Sequence, residues 1–269
     1  GAGKDNFLYA LADADTAITA QSRQSGGDTI TDFTTASDVV RISYTVATGG
    51  PTVDFSNKGS AADNANGMSL LSSVLGQYFY NTGTKSIVMD TDANGLLQAG
   101  DLAINVGLDA LGAADVQAYI TDNSGADTIT TGGGADQISL LNTANAIDTI
   151  STGAGNDTIL TNQNALNATA KDVINGGSGT DTLSIAGTGT TATMNNDAAL
   201  TGVENITFTS GGHTFDLSNQ TEALNVTTAS GTNVITLGGS AASGFTGGTG
   251  GDTLVTSRAQ LAAMTTVAG

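Results

Sequence analysis

A nine-residue unit, Gly-Gly-x-Gly-x-Asp-x-U-x with U large and apolar, recurs along this chain and restricts its fold more than any other feature. Gly176-Gly177-Ser178-Gly179-Thr180-Asp181-Thr182-Leu183-Ser184 and Gly247-Gly248-Thr249-Gly250-Gly251-Asp252-Thr253-Leu254-Val255 match it in full. Thr131-Gly132-Gly133-Gly134-Ala135-Asp136-Gln137-Ile138-Ser139 and Thr152-Gly153-Ala154-Gly155-Asn156-Asp157-Thr158-Ile159-Leu160 lose only the first glycine. Shorter copies keep the end of the unit: Gly125-Ala126-Asp127-Thr128-Ile129, Ile147-Asp148-Thr149-Ile150 and Lys171-Asp172-Val173-Ile174. Asp127 and Asp136, Asp148 and Asp157, and Asp172 and Asp181 are each nine residues apart, so the step is kept. A unit this short encloses no core by itself, and copies must stack to bury one.

The residue types dictate what the turns can do. Glycine supplies positive φ and leaves room for carbonyl oxygens to converge, while Asp adds a carboxylate; together they provide the oxygen-only shell that Ca²⁺ prefers. The candidate ligands are Asp5, Asp127, Gly132, Gly134, Asp136, Asp148, Gly153, Gly155, Asp157, Asp172, Gly177, Gly179, Asp181, Gly248, Gly250 and Asp252. Ile129, Ile138, Ile150, Ile159, Ile174 and Leu183 are then expected to point inward. The competing reading is a set of Gly/Asp turns in an ordinary β-protein that binds no metal. Gly1-Ala2-Gly3-Lys4-Asp5 fits a unit with its front removed, so the chain is expected to begin inside a repeat of a longer protein.

These units resemble the RTX family, the calcium-binding repeats of proteins exported by type I secretion. The resemblance covers roughly residues 121 to 184 and the two ends. It implies an all-β fold, a parallel β-roll or β-solenoid with Ca²⁺-binding turns, in which the Gly/Asp half is a turn and the U half a short strand. It also implies a secreted, extracellular protein.

Composition supports stacked layers over a thick globule: 37 glycines, 4% aromatics and no tryptophan. Of the 25 acidic residues only Glu204 and Glu222 are glutamates, and short rigid Asp is the carboxylate of turns and tight metal loops. A net charge of −18 with scattered Lys and Arg argues against nucleic acid as a partner. There is no cysteine, hence no disulfide and no thiol chemistry. No apolar run approaches the roughly 20 residues of a membrane-spanning helix, so the chain is read as not membrane-spanning.

The flanks differ from the repeats. Residues 1–59 read as a truncated repeat followed by strands; Ile30, Phe33, Val40 and Ile42 alternate as in a strand pair. Asp28 and Asp32 there suit calcium or turn capping equally. Residues 60–120 read as an insertion, with a short helix expected over Met68–Leu75 and then a strand at 86–89. Asp90, Asp92 and Asn94, with Gly95 and Asp101, fall at positions 1, 3, 5, 6 and 12 of an EF-hand-type loop without evident flanking helices, as a calcium loop or a plain Asx-rich turn. Residues 121–184 form the repeat core, and residues 185–269 read as a Thr/Gly-rich solenoid that closes on a repeat. Gly202-Val203-Glu204-Asn205-Ile206 resembles Gram-negative surface-layer proteins such as that of Caulobacter.

No catalytic constellation stands out, and the chain is read as a non-enzyme; His213, the single histidine, lies in an apparent turn. The expected function is a calcium-dependent structural protein of the bacterial cell surface, self-assembling as part of a surface layer (S-layer) and reaching surface glycan through other regions. The alternative is the C-terminal calcium-binding segment of an adhesin or an exported hydrolase. Asp197, outside every motif, is expected to be silent when mutated.

Overall fold

The computed structural model describes residues 4–11, 28–35, 37–46, 52–72, 74–91, 93, 96–97, 101–122, 125–140, 147–162, 172–189, 191–194, 197–238 and 243–269. The chain winds as a parallel β-solenoid. Its main sheet has ten parallel strands, in chain order Asn6–Leu11, Val39–Val46, Val116–Asp122, Gln137–Leu140, Thr158–Asn162, Thr182–Ala186, Asn205–Phe208, Asn225–Thr227, Gly244–Thr246 and Thr266–Ala268. Two successive sheets close the other side. The first back sheet holds Thr52–Phe55, Thr128–Thr131, Thr149–Ser151, Val173–Asn175 and Leu200–Thr201; the second holds Thr191–Thr193, Thr214–Leu217, Val234–Leu237 and Thr253–Val255. The two overlap in one coil, where the 3₁₀ turn Asp197–Ala199 leads back into the last strand of the first sheet.

Alternation places one row of side chains inward from each sheet. Ile138, Ile159, Leu183, Ile206, Val226 and Phe245 stack in register across the main sheet, and Ile129, Ile150, Ile174 and Leu200 across the first back sheet. All six inward residues expected from the repeats are buried, at 0–1% exposure. Burying each such side chain contributes about 1.5–3 kcal/mol, and each coil contributes only a few, so a coil is stable through its neighbours.

Between Thr52–Phe55 and Val116–Asp122 the chain leaves the coil and, joined by Asp28–Thr29, forms a mixed sheet ordered Asp28–Thr29, Leu102–Asn105, Ser86–Met89, Tyr78–Asn81, Asn57–Ala61. The expected helix is displaced: it spans Asn64–Met68, started by Asp63, whose carboxylate accepts from the Asn66 backbone N–H at 2.9 Å. Of the apolar residues after Met68, Leu75 goes to a sheet contact, bridging Val53 in parallel, and Leu70 is exposed. Nor do residues 28–42 form one strand pair. Asp28–Thr29 joins Leu102–Asn105, whereas Val39–Val46 enters the main sheet. The turn between them is fixed by Asp38, which accepts from the Thr34 N–H at 2.8 Å and the Asp5 N–H at 2.9 Å.

Candidate metal sites

Each coil through the repeats carries two aspartates, one before each strand, and coil stacking turns these into two columns. Asp127, Asp148 and Asp172 precede the strands of the first back sheet; Asp136, Asp157 and Asp181 precede those of the main sheet. Along each column the backbone N–H of one aspartate donates to a carboxylate oxygen of the next. The distances are 2.9 Å for Asp127 to Asp148 Oδ1, 2.9 Å for Asp148 to Asp172 Oδ1, 2.8 Å for Asp136 to Asp157 Oδ1 and 2.8 Å for Asp157 to Asp181 Oδ1. The second column continues upward, where Asp136 Oδ1 accepts from the Ala118 N–H at 2.7 Å, and downward, where Glu204 Oε2 accepts from the Asp181 N–H at 2.8 Å.

This arrangement engages one oxygen and strands the other. Oδ2 of Asp136, Asp157, Asp172 and Asp181, and both oxygens of Asp127, are buried with no hydrogen-bond partner among the described residues. Burial accordingly pushes the carboxyls up: to about 7 for Asp136, about 6 for Asp157 and about 7 for Asp172. Asp127 and Asp181 move in the same direction, again chiefly through burial, with the neighbouring acids Asp148 and Glu204 adding to it. Ionising a carboxylate in such a place carries a cost that a cation beside it offsets. Hard, buried, oxygen-only and anionic, the donor set fits Ca²⁺.

The glycines explain why no other residue serves. Gly153, Gly155, Gly177 and Gly179 have φ of 91°, 137°, 89° and 139°. They also sit directly on the turn before: a Cβ on Gly155 would lie 1.7 Å from the Gly134 carbonyl oxygen, and one on Gly179 1.6 Å from that of Gly155. The turns are thereby hydrogen-bonded to one another, Ala154 N–H to Gly132 O and Ser178 N–H to Gly153 O, both at 2.8 Å. The first glycine of the unit is crowded from two sides. At Gly176 a Cβ would lie 2.0 Å from the Gly202 carbonyl oxygen and, in addition, 2.8 Å from Asp181 Oδ2. Where Thr131 and Thr152 replace that glycine, their hydroxyls donate to the Thr152 and Gly176 carbonyls of the following coil, at 2.7 and 2.6 Å.

Outside the core the candidates divide. Asp252 has both oxygens engaged: Oδ1 accepts from Asn233 through its N–H at 3.1 Å and its Nδ2 at 2.7 Å, and Oδ2 from the Thr228 hydroxyl at 3.4 Å. Gly248 donates its N–H to the same Thr228 hydroxyl at 3.1 Å, and Gly250 keeps φ at 137°. In the preceding coil the place of Asn233 is taken by His213, fully buried against Phe208 at 4.7 Å between ring centroids. Burial holds its imidazole below the usual range, in the neutral form. Asp90 and Asp101 lie at the two ends of the loop joining antiparallel strands Ser86–Met89 and Leu102–Asn105, both 2% exposed, and Asp101 Oδ1 accepts from the Thr91 N–H at 3.1 Å. Asp92, Asn94 and the side chain of Asp28 lie outside the described residues. Asp5 stands at the top of the second column, donating to Asp38.

Four acids in or beside the columns were not among the candidate ligands: Asp38, Asp115, Asp122 and Glu204. Asp115 could have been found from the coil period, since it precedes Asp136 by the same 21 residues that separate Asp136 from Asp157. Asp122 could have been found from strand alternation, because Val116, Ala118 and Ile120 face inward and Asp122 follows in phase.

Residues 119–145, 143–163 and 170–184 match the family model of the RTX calcium-binding nonapeptide repeat, in 4 copies. No curated protein and no solved structure matches the chain.

Proposed function

With RTX calcium-binding repeats at its centre as the premise, we propose that this chain is a calcium-dependent structural segment of a secreted bacterial surface protein, the assembling part of a surface layer. One observation carries the reading: five buried aspartates of two stacked columns each keep at least one carboxylate oxygen without a hydrogen-bond partner. Without a cation the columns oppose the stacking that the apolar rows favour, and with one they reinforce it. Extracellular calcium modules bind at roughly 10⁻⁴–10⁻³ M, so such a chain is weakly stable in a calcium-poor cytoplasm and gains its full stability outside.

The surface supports assembly over chemistry. At strand spacings of about 4.8 Å, ten strands give a flat face on the order of 40 Å long. From Thr158 onward its outward positions are uncharged and chiefly Thr, Ser and Asn, such as Thr158, Thr182, Asn205 and Asn225, while Arg41 stands on the same face nearer the other end. No catalytic role is assigned, and no helix of the described residues is long and apolar enough to cross a membrane. Electron microscopy of the purified chain on raising calcium tests the proposal. Ordered two-dimensional arrays that dissolve in EDTA are expected; a folded monomer at millimolar calcium contradicts the surface-layer role and favours a segment of an adhesin or an exported hydrolase.

A further inference from the structure

We infer that Asp122 joins Asp127 and Asp148 in a three-carboxylate calcium site, and that this site fills before the two-aspartate steps further along the roll. The inference rests on the calcium reading above and adds to it a residue outside the repeat motif.

Asp122 ends the main-sheet strand Val116–Asp122 and is 0% exposed. Its register partners on either side are Val46 and Leu140, both also 0% exposed. A carboxylate therefore occupies an inward position that the adjacent coils fill with aliphatic side chains. An ionised group there costs several kcal/mol unless a counter-charge accompanies it.

What lies beside Asp122 supplies the second observation. One carboxylate oxygen each from Asp122, Asp127 and Asp148 lies within 4.8 Å of the other two, and all three residues are buried. Asp127 is 2% exposed, and neither of its oxygens accepts from an N–H or hydroxyl donor; its carboxylate meets that of Asp122 instead. This sets it apart from Asp136, Asp157, Asp172 and Asp181, each of which spends one oxygen on a backbone N–H of the previous coil. The Asp127 position thus offers two oxygens free of such donors and two further carboxylates, where the other steps offer one such oxygen per aspartate.

Affinity of an oxygen site for Ca²⁺ rises with the number of carboxylates it brings, provided they are held in place. Three carboxylates this close also repel one another most strongly, so a single cation relieves more strain here than elsewhere. A proton shared among the acids is the other way to keep them buried. Calcium uptake by the site then displaces that proton, whereas a purely proton-bridged cluster ignores calcium.

The test is calcium titration by calorimetry at pH 7.5, with ion counting by native mass spectrometry, on the whole chain and its variants Asp122→Asn and Asp122→Leu. The expected result is a tightest binding step weakened tenfold or more in both variants, with one ion fewer at limiting calcium. Asp122→Leu, which restores the aliphatic character of Val46 and Leu140, is expected to melt above the parent in EDTA, and this keeps the test independent of misfolding. If the parent binds calcium and the first step is unchanged within twofold in folded Asp122→Leu, Asp122 is no ligand. If the parent itself binds no calcium, the calcium reading falls and this inference with it.

Discussion

The backbone N–H of Asp157 donates to Oδ1 of Asp181 over 2.8 Å, while Oδ2 of Asp181 remains buried without a hydrogen-bond partner. One carboxylate thus splices two coils and presents an anionic oxygen to the turn. The two duties separate by mutation. Asp181→Asn keeps an acceptor for the N–H but loses the charge, so the calcium midpoint for folding should rise severalfold while the melting temperature in EDTA holds or increases. Asp181→Ala loses both, and should cost about 1–3 kcal/mol with or without calcium. Thermal melts of both variants across a calcium series distinguish the outcomes.

Protons and calcium compete for the same oxygens. In the calcium-free fold burial raises Asp136 to about 7, Asp157 to about 6 and Asp172 to about 7, above the roughly 3.9 of an unfolded Asp. A folded value above the unfolded one means the stabilising contribution is complete below about pH 4 and is lost as pH rises through 6 to 7. The calcium-free protein should therefore melt higher at pH 5 than at pH 8. With saturating calcium the order reverses, because metal binding requires the ionised form. Calorimetric scans at the two pH values, with EDTA and with calcium, check both signs.

Gly179 is the sharpest steric test. With φ at 139° and the Gly155 carbonyl oxygen 1.6 Å from where a Cβ would stand, Gly179→Ala must separate two turns. A loss of more than about 2 kcal/mol is expected, since strain and a broken turn contact combine. Gly251→Ala, in a unit of the same consensus but with nothing within 4 Å of the new carbon, should stay within about 0.5 kcal/mol. Denaturant midpoints in calcium measure both.

Asp197 reverses an expectation drawn from motifs alone. Its oxygens accept from the Thr221 N–H at 2.8 Å and the Thr221 hydroxyl at 2.9 Å, tying together coils 24 residues apart. Asp197→Ala should cost about 1 kcal/mol, equally in calcium and in EDTA, as seen by melting. A calcium-dependent cost would mean that Asp197 is a ligand.

The repeats made the solenoid legible because their glycines and aspartates are dictated by local geometry: a turn stacked on a turn admits no Cβ, and the following Ile or Leu has one way to face. Residues 60–120 were less legible. The helix starts at the Asp63 cap, ahead of the apolar run Met68–Leu75, and Leu75 is drawn to Val53 across the sheet, a relation with no local signature. The columns themselves were half visible. Nine-residue spacing marked the two aspartates of a coil, but the hydrogen bond from one aspartate to the next spans 21 or 24 residues, a distance set by loops of unequal length. The same cause hid Asn233, which stands in an aspartate-like position and satisfies Oδ1 of Asp252.

Hydrogen exchange read by mass spectrometry, at pH 7.5 with millimolar calcium and with EDTA, tests the calcium dependence of the columns most directly. The strands Thr128–Thr131, Gln137–Leu140, Thr149–Ser151, Thr158–Asn162, Val173–Asn175 and Thr182–Ala186 should be protected in calcium and exchange markedly faster in EDTA. Equal protection of these strands in both conditions would contradict it.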